Sequence, residues 1–156
     1  MDWKKQRENA YPSIILSDCF VDEIRVNDKD IEVDFLRFGF IIKETEDSEY
    51  YHTKPAQIVM KDCDIDDISI QFVYRKKTVT GNISHIIKDI EPCVFLKDLS
   101  RKKWSYEIVE EYYSALGGLF IGKIHEAKNS MWCYIKIQFK NIIYYWNEVN
   151  YDFPVR

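Results

Sequence analysis

Residues 131–140 alternate without a break. Met131, Cys133, Ile135, Ile137 and Phe139 are separated by Trp132, Tyr134, Lys136, Gln138 and Lys140. A period of two sends successive side chains to opposite faces of an extended backbone, whereas a helix returns to the same face every three or four residues. The segment therefore reads as a strand with one fully buried face. After Lys140-Asn141, the run IIYYWNEV predicts its hairpin partner.

The same signal recurs along the chain. Ile31, Val33 and Phe35 alternate with Glu32 and Asp34 after the polar turn Asn27-Asp28-Lys29-Asp30, and the mostly apolar stretch from Leu36 to Ile42 follows. Phe72 and Tyr74 continue another strand, Arg75-Lys76-Lys77 turns it, and Thr78 to Thr80 starts a return ending at Gly81-Asn82. Ile83 to Ile90 and Cys93 to Leu96, divided by Glu91-Pro92, read as two short strands. The stretch WSYEIVEEYYSALGG supports two patterns: Trp104, Ile108, Tyr112 and Leu116 recur at helical spacing, while Trp104, Tyr106, Ile108 and Tyr112 share one face of a strand. Its β-branched and aromatic residues favour the strand. Two polar connections remain, an acidic loop from Lys43 to Pro55 and a shorter one from Asp98 to Lys103.

Eight to ten strands at such short spacing predict a mainly β protein. The expected fold is an antiparallel β-sandwich or partly closed barrel built from hairpins, with at most one or two helices. An aromatic content of 15%, with eleven tyrosines, agrees with this. The 156 residues are the length of one domain, 1–156, able to bury about two thirds of its extended surface.

One stretch is written almost twice. IILSDCFVDEIRV at 14–26 returns as IVMKDCDIDDISI at 58–70, with five identities and five conservative exchanges. In both, the apolar parity switches at a two-acid step, between Val21 and Ile24 and between Ile65 and Ile68. An inserted residue has this effect, so β-bulges are expected at Asp22-Glu23 and Asp66-Asp67. The sequence thus predicts two similar hairpin units, 14–42 and 58–80, with Cys19 and Cys63 in equivalent buried places and Asp18 and Asp62 closing turns.

Several chemistries find no support in the sequence. A net charge of −4 argues against general nucleic-acid binding, which needs a surplus of Lys and Arg. No run of eighteen apolar residues suggests a membrane span, and the absence of a signal-like segment predicts a cytoplasmic protein. Cys19, Cys63, Cys93 and Cys133 form no C-x-x-C pair, so reduced thiols are expected. The acids from Asp62 to Asp67 fail the calcium-loop pattern, with Asp67 where Gly is required and Val73 where a bidentate Glu is required. His52, His85 and His125 stand in no catalytic motif, and no cofactor motif occurs. A non-enzymatic protein is the leading expectation, with no catalytic residues and no metal.

Ser17 to Phe35, with its Asp-centred turn, the strand V-D-E-I-R-V and the return strand I-E-V-D-F, resembles a pattern found in small uncharacterised bacterial β-rich families and in immunity proteins of polymorphic toxin systems. The resemblance implies a single-domain cytosolic protein that plugs the active site of a toxin. Acids and exposed aromatics suit such contacts, since acids match a basic cleft and tyrosines bury large area at little entropic cost. The partner-binding residues expected on this reading are Glu44, Glu46, Asp47, Glu49, Tyr50 and Tyr51. A homodimer is compatible with the many aromatics. Two other readings stay open: a β-barrel holding a small apolar ligand, and an enzyme with a dispersed site around His85 or His125.

Overall fold

The alternating segment becomes β13 (Asn129–Gln138), an interior strand of a six-stranded antiparallel sheet. The computed structural model describes residues 2–63, 66, 68–77, 79–126 and 129–155, without the side chains of 129 and 153. Across the sheet the order is β10 (Ile83–Asp89), β9 (Ser69–Lys77), β13, β12 (Gly117–Glu126), β11 (Ser105–Ser114) and β3 (Cys19–Val21). Cys133, Ile135 and Ile137 point into the core from β13, as their parity requires.

A five-stranded sheet faces this one, in the order β1 (Lys5–Glu8), β14 (Asn141–Trp146), β8 (Ala56–Lys61), β5 (Asp30–Phe35) and β4 (Glu23–Asn27). Val33, Ile58 and Met60 from it and Tyr106, Phe120 and Ile135 from the six-stranded sheet line a common interior. A third, four-stranded sheet runs β15 (Val149–Val155), β7 (Tyr50–Thr53), β6 (Ile41–Ile42) and β2 (Ile14–Ile15). Every pairing among the described residues is antiparallel. The molecule is mainly β, an antiparallel sandwich or partly closed barrel with one helix among the described residues.

β13 and β14 do not form the expected hairpin. β14 pairs with β1 and β8, while β13 pairs with β9 and β12. The inward parity changes from Phe139 to Ile142, so the chain turns over and enters the opposite sheet, where Ile142, Tyr144 and Trp146 face the same core. The switch after Val21 has the same meaning. β3 lies in the six-stranded sheet and β4 in the five-stranded one, so Asp22 stands at a crossing between sheets, where the sequence suggested a bulge. The second expected bulge includes Asp67, outside the described residues.

Asp22 holds that crossing. Its buried carboxylate accepts hydrogen bonds from the Leu36 and Arg37 amides at 2.7 and 3.2 Å and from Arg37 Nε at 3.2 Å. Asp22→Ala strands the two amides and is expected to cost about 2 kcal/mol in equilibrium urea unfolding. Asp22→Asn, which keeps an acceptor, should recover at least half of that loss.

The two copies of the repeated stretch share a turn. Asp18 and Asp62 both take left-handed φ, 63° and 55°, and a buried free cysteine follows each. Their neighbours differ: Cys19 sits in β3 opposite Ile108, whereas Cys63 follows β8 and donates its amide to the Lys29 carbonyl. Hairpins β4–β5 and β9–β10 come after the two copies, in different sheets.

Residues 93–96, read above as a strand, belong to α1 (Pro92–Ser100). Pro92 suits the first turn, where its missing N–H has no intrahelical acceptor to serve. Phe95 and Leu99, four apart, are both buried, and the Phe95 ring meets those of Trp104, Tyr106 and Phe72 at 4.8, 6.0 and 6.1 Å. Four apolar residues are too few for periodicity to separate helix from strand. The ambiguous segment is β11, a strand, but it carries a bulge between Ile108 and Glu110. Trp104, Tyr106 and Ile108 point inward before the bulge; beyond it Glu111 is buried and Tyr112 is exposed, contrary to an unbroken alternation. Opposite Ile108, Gly122 lets the strands approach: a Cβ there would lie 2.2 Å from the Glu107 carbonyl oxygen and 2.3 Å from the Tyr106 ring.

Candidate functional site

The expected acidic loop is shorter than its sequence suggested. Residues 43–49 connect β6 to β7, and Tyr50 to Thr53 are strand. Arg7 of β1 donates to the Lys43 and Glu44 carbonyl oxygens at 3.3 and 2.9 Å, which fixes the start of the connection. Thr45 and Ser48 close it, with the Ser48 hydroxyl 2.9 Å from the Thr45 carbonyl oxygen and 3.1 Å from its amide.

The six residues singled out from the sequence fall into two groups. Glu46, Asp47 and Glu49 are exposed. Glu44 is half-buried and engaged within the fold: Lys5 Nζ lies 3.1 Å from its carboxylate, and the Tyr151 hydroxyl donates to it. That hydroxyl, with Lys5 and Arg7 adding positive charge, holds the Glu44 carboxyl below its ordinary value against the opposing effect of burial. Tyr50 donates to the Pro12 carbonyl oxygen at 3.2 Å and has the Lys43 ammonium 5.7 Å from its ring centre. Tyr51 lies edge-on to Tyr151 with ring centres 5.3 Å apart, and its hydroxyl is 3.4 Å from Glu49.

Tyr151, 58% exposed, is the residue that sequence reasoning missed. It arrives from β15, whose register against β7 shifts between Val149 and Pro154. A hundred positions separate it from Tyr51, and no local pattern couples the two. The assembled patch is two crossed tyrosine rings whose hydroxyls are tied to carboxylates, with exposed Glu46 and Asp47 on the connection that leads into β7. Compared with protein-family models, with curated proteins and with solved structures, the chain matches none.

The other expected chemistries can be placed against the structure. The space at the centre of the core, lined by Val21, Ile58, Tyr106, Phe120 and Ile135 among others, is about 30 Å³. Ligand pockets run to several hundred, so this space is too small for a drug-sized apolar ligand. A depression of about 450 Å³ lies beside the turn from β11 to β12, between Tyr112, Leu116, Leu119 and Lys136. Its titratable lining residues are Tyr112, Tyr113 and Lys136, and no histidine, cysteine or carboxylate is among the residues that line it.

His125 has a carboxylate partner, its Nε2 lying 2.7 Å from Glu107 on the neighbouring strand, with the Phe20 ring centre 6.0 Å away. Both side chains are partly exposed. Neither belongs to the depression beside the turn. His85 lies on the exposed strand β10. Cys19, Cys63 and Cys133 are buried and Cys93 is exposed, all four as free thiols. Burial pushes the Cys63 thiol up to about 11 and raises Cys19 and Cys133 further, which disfavours the nucleophilic thiolate at neutral pH. Among the described residues no helix is long and apolar enough to cross a membrane.

Proposed function

We propose that this protein is a non-enzymatic protein-binding module that sets its acid–tyrosine patch against a basic surface of a partner protein. The observation that carries the reading is the Tyr51–Tyr151 pair, bonded to Glu49 and Glu44, with exposed Glu46 and Asp47 on the connection between β6 and β7. Tyrosines restrained before binding lose little entropy when a partner covers them. Exposed acids speed encounter with a basic cleft at a rate that salt reduces. A bacterial toxin whose substrate is anionic offers such a cleft, and inhibition of the immunity type is the form of binding we favour.

The test compares the wild-type chain with Glu46→Lys/Asp47→Lys/Glu49→Lys as bait in native lysate of the source cells, at low and high salt. Glu44 is left intact because it is half-buried and bonded to Lys5 of β1, whereas Glu49 is exposed and its bond to Tyr51 belongs to the patch under test. The wild type should retain a stoichiometric basic protein, retention should fall as salt rises, and the triple variant should bind that protein at least roughly tenfold more weakly. A partner held equally by both chains and insensitive to salt would refute this placement of the surface. Retention of a small molecule, or of no protein, would refute the module itself.

A further inference from the structure

β10 ends the six-stranded sheet, with β9 on one side and, among the described residues, no strand on the other. All seven of its residues are exposed, Ile83 and Ile87 at 63% and Ile86 at 44%. The Ile90 amide donates to the Ile70 carbonyl, one position beyond the Asp89–Gln71 pair, and this sets the phase of the ladder. Ser84, Ile86 and Lys88 therefore bond toward β9. The N–H and C=O groups of Ile83, His85, Ile87 and Asp89 point to the open side.

The other sheet edges are blunted. β1 is four residues with three charges, and β3 and β2 are three and two residues long. β4 carries Arg25 in ion pairs with Glu23, Glu32 and Asp34, and β15 contains Asp152 and Pro154. Shortness, charge and proline are the usual protections of an edge, and the Ile83–Ile87 stretch of β10 has none of them.

We infer that β10 is the interface at which two copies of this chain pair, strand to antiparallel strand, about a two-fold axis at Ile86. Charge selects a second copy as the occupant. The end of β10 that begins at Ile83 lies beside exposed Arg75, Lys76 and Lys77, whereas the other end carries exposed Lys88 and Asp89 and is followed by exposed Glu91, a net negative charge. Antiparallel pairing of two copies sets the basic end of each against the acidic end of the other, a self-complementarity that an isologous contact requires. The register follows from the ladder. Centring on Ile86 pairs all seven residues, setting His85 against Ile87 and Ile83 against Asp89 so that every outward-pointing group is used. Ile86 then faces its own equivalent in a non-hydrogen-bonded pair, and the sheet continues across both copies. This interface is separate from the acid–tyrosine patch and does not depend on it.

Sedimentation equilibrium of the full chain at micromolar concentration tests it. The wild type should sediment at twice the 18.8 kDa chain mass. Ile86→Lys, which opposes two like charges at the axis, should raise the dimer dissociation constant on the order of a hundredfold while leaving the circular dichroism spectrum unchanged. In a Cys93→Ser background, Ile86→Cys should form an intermolecular disulfide with oxidised glutathione, because Cα atoms of a non-hydrogen-bonded pair lie about 4.5 Å apart. Ile83→Cys in that background should not. A wild type that stays monomeric up to hundreds of micromolar, including one whose β10 amides are shielded only when another protein is added, would overturn the inference. So would a dimer that survives Ile86→Lys.

Discussion

Phe40→Ala is expected to lower the free energy of unfolding by about 4 kcal/mol, the cost of removing a fully buried aromatic ring from a core that closes only partly around the void. Phe40 has no exposed surface, and its ring meets Phe35, Tyr144 and Trp146 edge-on at 6.4, 5.7 and 6.0 Å. It lies between β5 of the five-stranded sheet and β6 of the four-stranded one, so its contacts join two sheets. Its backbone is fixed as firmly: the amide donates to Thr53 Oγ1 at 3.0 Å, and its carbonyl accepts from the Thr53 amide at 2.8 Å. The chain reaches that position through Gly39, at φ 63°, where a Cβ would lie 1.9 Å from Thr53 Oγ1. Two residues away, Phe38 is 64% exposed. Equilibrium urea unfolding should therefore separate them, with Phe38→Ala within about 0.5 kcal/mol of wild type. A Phe40→Ala loss below about 1 kcal/mol would mean that the rings do not form this cluster.

The contrast between Phe38 and Phe40 illustrates what a linear pattern conveys. Both belong to one apolar stretch, and nothing local says which ring is inside. Where alternation ran long, as at 131–139, it identified the buried face correctly, because every second side chain must share a face whatever the partner strand is. It did not identify the partner. β13 and β14 look like two arms of a hairpin until they are placed in facing sheets, and the parity change from Phe139 to Ile142 is then the mark of a crossing. The same applies at Val21 and Ile24, where a bulge and a crossing shift parity alike. The bulge within β11 was hidden for the opposite reason: Val109 and Tyr112 are as compatible with a core as the residues that occupy it, so Glu111 inside and Tyr112 outside contradict the simplest hydrophobic reading.

The candidate site was legible in part. Exposed Glu46, Asp47 and Glu49 are in plain sight in the sequence, since a run of acids without apolar period stays in water. That Glu44 would be engaged by Lys5 and Tyr151 depends on β1 and β15 arriving beside the same connection. Long-range pairing of that kind leaves no trace in a window of ten residues. The apolar edge of β10 was visible as a strand; its exposure was not, because exposure depends on which strand comes last in the sheet.

Glu111 supplies the second large effect, and it is a test of how the three sheets are tied together. One carboxylate oxygen accepts from the Leu16 amide at 2.6 Å, and the other accepts from the Tyr113 hydroxyl at 2.6 Å, which in turn accepts from the Tyr144 hydroxyl at 3.2 Å. The chain of bonds runs from the segment joining β2 to β3, through β11, to β14 in the facing sheet. Glu111→Ala leaves the Leu16 amide buried without a partner and should cost about 3 kcal/mol. Burial raises the Glu111 carboxyl above its ordinary value, opposed by the Tyr113 hydroxyl and the Leu16 and Ser17 amides. A carboxyl raised on folding binds its proton more tightly in the folded than in the unfolded chain. Its contribution is therefore complete below the unfolded value, near pH 4.3, and declines as pH rises through the folded one. Glu111→Gln removes that titration while keeping an acceptor for Leu16. Unfolding free energies measured from pH 4 to pH 8 should show the wild type losing stability relative to Glu111→Gln as pH rises, levelling once the buried carboxyl is ionised. A wild type that instead gains on the glutamine variant with rising pH would mean that the Leu16, Ser17 and Tyr113 bonds outweigh burial and hold the group ionised.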